Sequence, residues 1–418
     1  MKLQVSLDKM RCCSVLIAFL FCIDHVAWLE AAGVHNWSSI FNNNPSKNWA
    51  VLVAGTESWV NYRHQANVYH AYRVLRANKI PAKNIITFAY DDIANNPKNP
   101  FKGRVFNDYE LEDIYKGVVI DYRGKLHVAE LKNILTEMYS NKHYNKLVIY
   151  LDACSSGSLF RDLLPPNVGI YAVNSAKENE ESWSMFCHNK QIGVCLATEF
   201  SYAWITDSEF NDLKKRTLDQ QYEEVKKRTK DSHVTRYGEM TIGSLPVGKF
   251  QGHYDLFSAI FDTLNSILEQ SVPTPLRFII VQVCPFYLEK WPNVVDRRPS
   301  SRVHLFSMSR SLMEATTEEE HETAWRKLHR ALQLRHIIKE TINDIMMDVK
   351  THHKLTVKHL SKRDELMCLK EVFDQFRAHC FTIHQVPEVA QYTTHLMELC
   401  KAGYETKTLI ESVHIVCS

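Results

Sequence analysis

The sequence predicts an α/β fold, a mostly parallel sheet flanked by helices, followed by an all-α segment tied by disulfides. Three observations carry this. Apolar runs at Trp49–Gly55 and Ile85–Tyr90 flank a helical stretch, the spacing of a strand–helix–strand unit and therefore of parallel strands. A third run, Leu147–Leu151, is rich in β-branched and aromatic residues and reads as a buried strand. It stops in Asp152-Ala153-Cys154 and then in small residues, Ser155 to Ser158. The C-terminal part combines a long helical stripe with four cysteines.

In chain order, Met1 to Gly33 has a secretory shape. Lys2, Lys9 and Arg11 precede the apolar core Cys12–Cys22, and Ala31-Ala32-Gly33 offers small residues for cleavage. The core is short for a membrane span. Asn36-Trp37-Ser38 is a glycosylation sequon, so Asn36 is a candidate acceptor. Tyr62 to Asn78 places Ala66, Tyr69, Tyr72 and Leu75 on one helical face. Asp92 to Arg123, broken by prolines and glycines, reads as a long surface loop. Val128 to Tyr139 is helical, with Leu131, Ile134, Leu135 and Met138 inward. Val168–Val173 is a further strand, and Leu218, Tyr222 and Val225 mark an amphipathic helix. Pro292 to Ser301 reads as an exposed linker. Thr316-Thr317-Glu318-Glu319 starts a helix whose stripe, Ala324, Leu328, Leu332, Ile338, Ile342 and Ile345, is expected to be core.

Net charge is +2, and the basic runs Lys226-Lys227-Arg228 and Arg297-Arg298 are short, expected to be solvated faces, so nucleic acid is not an expected partner. No cofactor or metal is implied, since the His352-His353 pair lacks ligand spacing. Of eleven cysteines, Cys12, Cys13 and Cys22 would leave with the signal. In an oxidising compartment most of the rest should pair. Cys187 and Cys195 are close enough to bridge locally. Cys368, Cys380, Cys400 and Cys417 can form two bridges in three ways. Cys154 and Cys284 are left over.

A cysteine at the carboxyl end of a strand, with backbone N–H groups beside it, is placed as a nucleophile, although buried cysteines are commonly inert. Asn61-Tyr62-Arg63-His64 follows the first strand and shares that edge, as does Asp152. A cation beside a carboxylate there suits an amide or zwitterionic side chain.

The run WAVLVAG, NYRHQAN, YDDIA, NPFKG, GVVIDYRGK, IYLDACSSGS, SYAWITDSE, SHVTRYG and FQG resembles, in order, the legumain family of asparaginyl endopeptidases, over most of Trp49 to Gly252. The C-terminal helices and cysteines resemble the family's inhibitory prodomain. The resemblance implies a caspase-like fold and peptide-bond cleavage after Asn, less readily after Asp, in acidic endolysosomal compartments. It implies protein or peptide substrates, cystatin-type inhibitors and no membrane span. A related family, the catalytic subunit of the GPI transamidase, shares the cysteine motif but implies a membrane segment near its C-terminus. The legumain pattern makes Cys154 the nucleophile and Asn61 the residue orienting a catalytic histidine. Arg63, His64 and Asp152 would line the pocket for the substrate Asn, and Glu181 and Ser182 the next. The implied bridges are Cys368–Cys400 and Cys380–Cys417. The implied organisation is a signal peptide over 1–33, a peptidase unit over 34–252, an atypical linker over 253–310 and a prodomain over 311–418.

Several departures stand out. Thr198 and Asp152 replace a family Asp and Glu. Trp183 replaces a serine. Roughly 50 residues that the family carries, more than one βαβ unit of about 30, are missing where Lys125 joins Leu126. That block carries the general-base histidine and a glycine donating an oxyanion N–H, and His127 at the junction belongs to a helix away from the cleft. Asp255–Pro292 is a foreign apolar stretch. No Asn lies between Ser300 and Arg330, so activation would need Glu314 or another protease.

Overall fold

The computed structural model describes residues 48–123, 131–160, 164, 167–252, 296–355, 360–382 and 385–418. The signal segment, Asn36, the Lys125–Leu126 junction, His127 and Asp255–Pro292 lie outside them.

The first strand, β1 (Ala50–Val53), leads into α1 (Tyr62–Ala77), and β2 (Ile85–Phe88) returns parallel to β1, with Ala50 opposite Ile85. α1 is more deeply enclosed than one apolar face requires. Tyr62, Tyr69 and Tyr72 are buried, and the Tyr62 hydroxyl accepts the Phe106 N–H at 2.6 Å. Asp92–Arg123 is irregular, as the sequence suggests, but it is not a surface loop. Ile93, Ala94, Val105, Phe106 and Ile114 join α1 in the main core. The backbone there is held by side chains rather than ladders: Asn99 Nδ2 donates to the Ile93, Ala94 and Arg104 carbonyls.

After α2 (Leu131–Ser140), β3 (Leu147–Leu151) pairs parallel with β4 (Ile170–Asn174), and β7 (Thr235–Gly238) adds antiparallel to β4. β4 is buried throughout. β3 is only half-buried, and so is most of β1, whose Val51 is 60 % exposed beside Trp49 at 63 %. β1–β2 and β3–β4–β7 are separate sheets, and β1 and β3 each have one strand partner among the described residues. Apolar runs that would suit central strands are therefore left with an open edge. α2 buries Leu135 against β3 and β4, whereas Ile134 is exposed because none of the described residues covers that part of its stripe.

Next come the short α3 (Gly157–Phe160), then β5 (Trp183–Met185) and β6 (Ala197–Thr198), an antiparallel pair. α4 (Glu199–Phe210) and α5 (Leu218–Arg228) follow. The α5 start is closed by a reciprocal Thr217/Gln220 capping box, and Leu218, Tyr222 and Val225 are buried. Arg228 is not a solvated face: it is 8 % exposed and donates to the Ala203 carbonyl and Thr206 Oγ1. α6 (Gly248–Gln251) ends this part.

Residues 296–302 are not an exposed linker. Asp296, Arg297 and Ser301 are buried, and β8 (Arg298–Pro299) lies antiparallel on β5. α7 (Val303–Met313) then docks on the disulfide loop Cys187–Cys195, where Arg310 donates to the carbonyls of Cys187 and Asn189 at 3.0 and 2.7 Å.

The remaining helices are α8 (Glu318–His352), α9 (Lys362–His379), α10 (Val389–Ala402) and α11 (Thr406–Cys417). Thr317 and Glu320 cap α8 reciprocally. Ile338, Ile342, Ile345 and Val349 enter the bundle core, but Leu332 is 45 % exposed, because α9 to α11 pack only against the second half of α8. Cys368 bonds to Cys400 and Cys380 to Cys417. His352 pairs with Asp348 on the α8 surface at 2.8 Å.

Candidate active site

Cys154 is the one free thiol among the described residues. β3 delivers it, and the turn after it is fixed by backbone bonds. Ser155, at φ 55°, donates its N–H to the Glu180 carbonyl at 2.7 Å, and Gly157 N–H donates to Ala176 O at 3.0 Å. A Cβ on Gly157 would stand 3.1 Å from that same carbonyl oxygen, so the turn needs a small residue there. Ser175 Oγ accepts the Ala153 N–H.

The sulfur's hydrogen-bond partner among the described residues is Ser182 Oγ, at 3.7 Å, not an imidazole. Burial pushes the thiol above its ordinary range. Hydrogen bonds from Ser182 pull it back in part, Glu181 raises it, and Arg63 lowers it. Little thiolate is present near neutrality.

Arg63, on the first turn of α1, is 2 % exposed, and desolvation brings it down to about 10 despite the pull of Cys154 and Asp152. Its Nη1 donates to the Val60 carbonyl and its Nη2 to the Ser300 carbonyl at 3.2 Å. His64 bonds through Nδ1 to Thr56 Oγ1 at 2.6 Å, and burial beside Arg63 holds it well below the usual imidazole range, hence neutral. Asn61 Nδ2 donates to the Glu57 carbonyl at 3.1 Å and more weakly to Ser58 Oγ, and neither partner is a histidine.

One Asp152 oxygen accepts from Thr198 Oγ1 at 2.5 Å, from Ser201 Oγ at 2.7 Å and from Ser201 N–H at 3.2 Å. Thr198 in turn accepts from Asn67 Nδ2 at 2.6 Å. A threonine here therefore does what a second carboxylate could not: it donates to Asp152 without repelling it.

The cleft is filled from within. Ser300 donates its N–H to the Ser182 carbonyl at 2.9 Å, and its Oγ lies 3.3 Å from Ser182 Oγ and 3.0 Å from Ser184 Oγ. Ser301 Oγ donates to Glu181 at 2.9 Å, and Gln391 of α10 donates to both. The fold thus brings together Cys154, Arg63, Asp152, Glu181 and Ser182. Sequence reasoning missed Arg297, Ser300, Ser301 and Gln391, because a Pro/Ser/Arg-rich stretch carries no local mark of a docked strand.

A thiol-bearing turn at a strand end, beside a buried arginine and covered by a segment from further along the chain, defines the closed form of a cysteine-peptidase fold. Comparisons agree. The model of the peptidase C13 family matches residues 48–126 and 123–253, and that of the legumain prodomain matches 326–417. The chain is 35 % identical to a hemoglobinase of Schistosoma japonicum over 88 % of this chain and 92 % of that one. It is 29 % identical to legumain of Mus musculus (89 % and 92 %) and 29 % identical to a vacuolar-processing enzyme delta-isozyme of Arabidopsis thaliana (88 % and 90 %). The chain belongs to the peptidase C13, or legumain, family of cysteine peptidases. No described helix is long and apolar enough to cross a membrane.

Proposed function

We propose that this chain is the zymogen of an Asn-directed, secretory-pathway legumain whose catalysis is abolished or severely impaired by loss of its general base. In this reading 34–252 is the peptidase unit, 253–310 the linker and 311–418 the prodomain. Cys154 is the nucleophile position, and Arg63, His64 and Asp152 line the pocket for the substrate side chain, with Glu181 and Ser182 beyond it. One observation carries the reading: the sulfur meets a serine hydroxyl, and burial raises its pKa. Without an imidazole nothing draws off the thiol proton or protonates the leaving amine, and loss of one oxyanion donor alone costs about 10²–10³ in rate.

Two observations support a missing block at Lys125–Leu126. The family model matches in two pieces that meet at 123–126, and the strands on either side belong to separate sheets. The surviving pocket then serves binding without cleavage. The two-piece match also favours a second reading, a transcript lacking one segment of an active parent enzyme. Sequencing the transcript across the Lys125–Leu126 codons separates the two.

The activity test is a fluorogenic Asn peptide at acid pH, applied to the full chain and to chain trimmed of residues beyond 252, which removes the segment that fills the cleft. The expected rate equals that of Cys154→Ala. Robust cleavage that Cys154→Ala abolishes would overturn the proposal.

A further inference from the structure

Arg297 enters the body of the protein as a ligand enters a site. Its guanidinium is buried, with the side chain 3 % exposed, and one nitrogen bridges two acids, Glu199 at 2.9 Å and Asp231 at 2.7 Å. Glu199 is wholly buried at the start of α4. Its carboxylate also accepts the N–H groups of Lys230 at 3.2 Å and Asp231 at 3.4 Å. These acids come from two separate segments, and backbone donors fix the buried one independently of Arg297. Arg297 Nε is buried without a hydrogen-bond partner among the described residues. The acids and the loop that orients Glu199 all belong to the peptidase body. The arginine belongs to the segment that covers the cleft.

The direction of that segment matters. β8 runs antiparallel to β5, with Pro299 opposite Trp183 and Arg298 opposite Ser184, and Ser300 N–H donates to the Ser182 carbonyl. Ser182 is the residue whose hydroxyl meets Cys154, and Arg63 holds the Ser300 carbonyl. The covering strand therefore presents Ser300 to Ser182, the partner of the sulfur, and Arg297 three residues before it. A peptide laid on β5 in the same sense would carry its side chains past the same partners.

We propose that Glu199 and Asp231 form a specificity subsite for arginine three residues before the residue that meets Ser182, filled in the intact chain by Arg297. The subsite rests on the reading that the β5 edge is where peptides bind. Its ligand is a peptide with that arginine, and Arg297 is the internal copy of it. A buried acid beside a partly exposed one prefers a permanently charged partner to a neutral one.

The test uses the full chain carrying Arg297→Gln with Ser300→Pro, which empties the subsite and removes the N–H that holds the covering segment to Ser182. A fluorescein-labelled peptide copying 295–302, VDRRPSSR, is titrated against it by polarisation, beside a peptide with citrulline in place of the first arginine. In parallel, each peptide's protection of Cys154 against iodoacetamide is measured. The arginine peptide is expected to bind about 30-fold or more tightly than the citrulline peptide, and to protect Cys154. Equal affinity for the two peptides, or no binding of either, overturns the proposal. As a control on folding yield, Glu199→Gln in the otherwise intact chain is the second variant. Loss of the anchor should speed Cys154 alkylation about tenfold or more, and an unchanged rate overturns the proposal. Arginine-dependent binding that leaves Cys154 unprotected upholds the subsite and removes the reading of β5 as the peptide edge. Protection by both peptides alike does the reverse.

Discussion

Replacing Thr198 by valine removes a hydroxyl while keeping the shape of the side chain, so its effect isolates one polar network. Thr198 donates to Asp152 and accepts from Asn67, and both Thr198 and Asn67 are buried. Losing a hydrogen bond to a charged group costs about 1.5–3 kcal/mol, and leaving the Asn67 donor unmet adds about 1–3 kcal/mol. Asp152 keeps Ser201, so the lower part of the summed range is the better expectation, about 2.5–4 kcal/mol. For a unit of this size each kcal/mol moves the melting temperature by about 2–4 °C, giving a fall of roughly 5–15 °C. Urea unfolding of the chain and of Thr198→Val, with Thr198→Ser as the variant that keeps the hydroxyl, measures it. Thr198→Ser should retain most of the stability. A valine variant within about 0.5 kcal/mol of the parent would refute the view that Thr198 serves Asp152 as a donor.

The other expectations can be read separately. The rate of Cys154 alkylation by iodoacetamide should still be rising past pH of about 8.5, since burial favours the thiol; a midpoint near pH 7 would point to a cationic partner close by. Val51→Lys should change stability by no more than about 0.5 kcal/mol, because that side chain faces solvent, whereas a valine enclosed on both sides would lose several. The double variant Cys368→Ser/Cys400→Ser, which opens a bridge of sequence separation 32, should lose about 3–4 kcal/mol in urea unfolding, and a loss under about 1 would contradict it. Burial pushes the Glu199 carboxyl up to about 7, with Arg297 pulling it down. A raised folded-state value means its contribution to global stability is complete below about 4.5 and lost as pH rises through about 7. The hold on Arg297 has the opposite sign, since it needs the carboxylate, although Asp231 remains. Hydrogen exchange at residues 297–300, corrected for intrinsic rates, should therefore be faster at about pH 5.5 than at about pH 7.5, and Glu199→Gln should abolish the difference.

Much of the fold was legible where period and end signals coincide. β1, α1 and β3 follow from apolar runs and helical spacing, and α8 begins at the Thr-Thr-Glu-Glu signal with its capping box in place. Arg63, Asp152 and Cys154 could be singled out because each sits on a short phrase of the family resemblance, and the fold brings them together. The failures share a cause. Arg228 and Arg297 look like surface charge, and only the distant carbonyl of Ala203 or the carboxylates of Glu199 and Asp231 make them interior residues. Asp92–Arg123 looks like an exposed loop because its backbone is satisfied by Asn99 and Asp113 side chains, which leave no periodic trace. Leu332 obeys the helical stripe, yet the bundle ends before it.

The turn between α7 and α8 also bears on how the molecule is taken apart. Glu314, Thr316 and Thr317 are exposed, and beyond them α8 runs 35 residues, about 50 Å, with only its second half enclosed by partners. Scission there severs the chain but not the clasp. Upstream of the cut, Arg310 still grips the Cys187–Cys195 loop, and Arg297 stays lodged. Downstream, Gln391 still hooks Glu181, and Glu388 faces His304 at 3.2 Å. A nicked molecule would migrate as two bands under denaturing conditions and as one particle without them, and prising the halves apart would be a separate event.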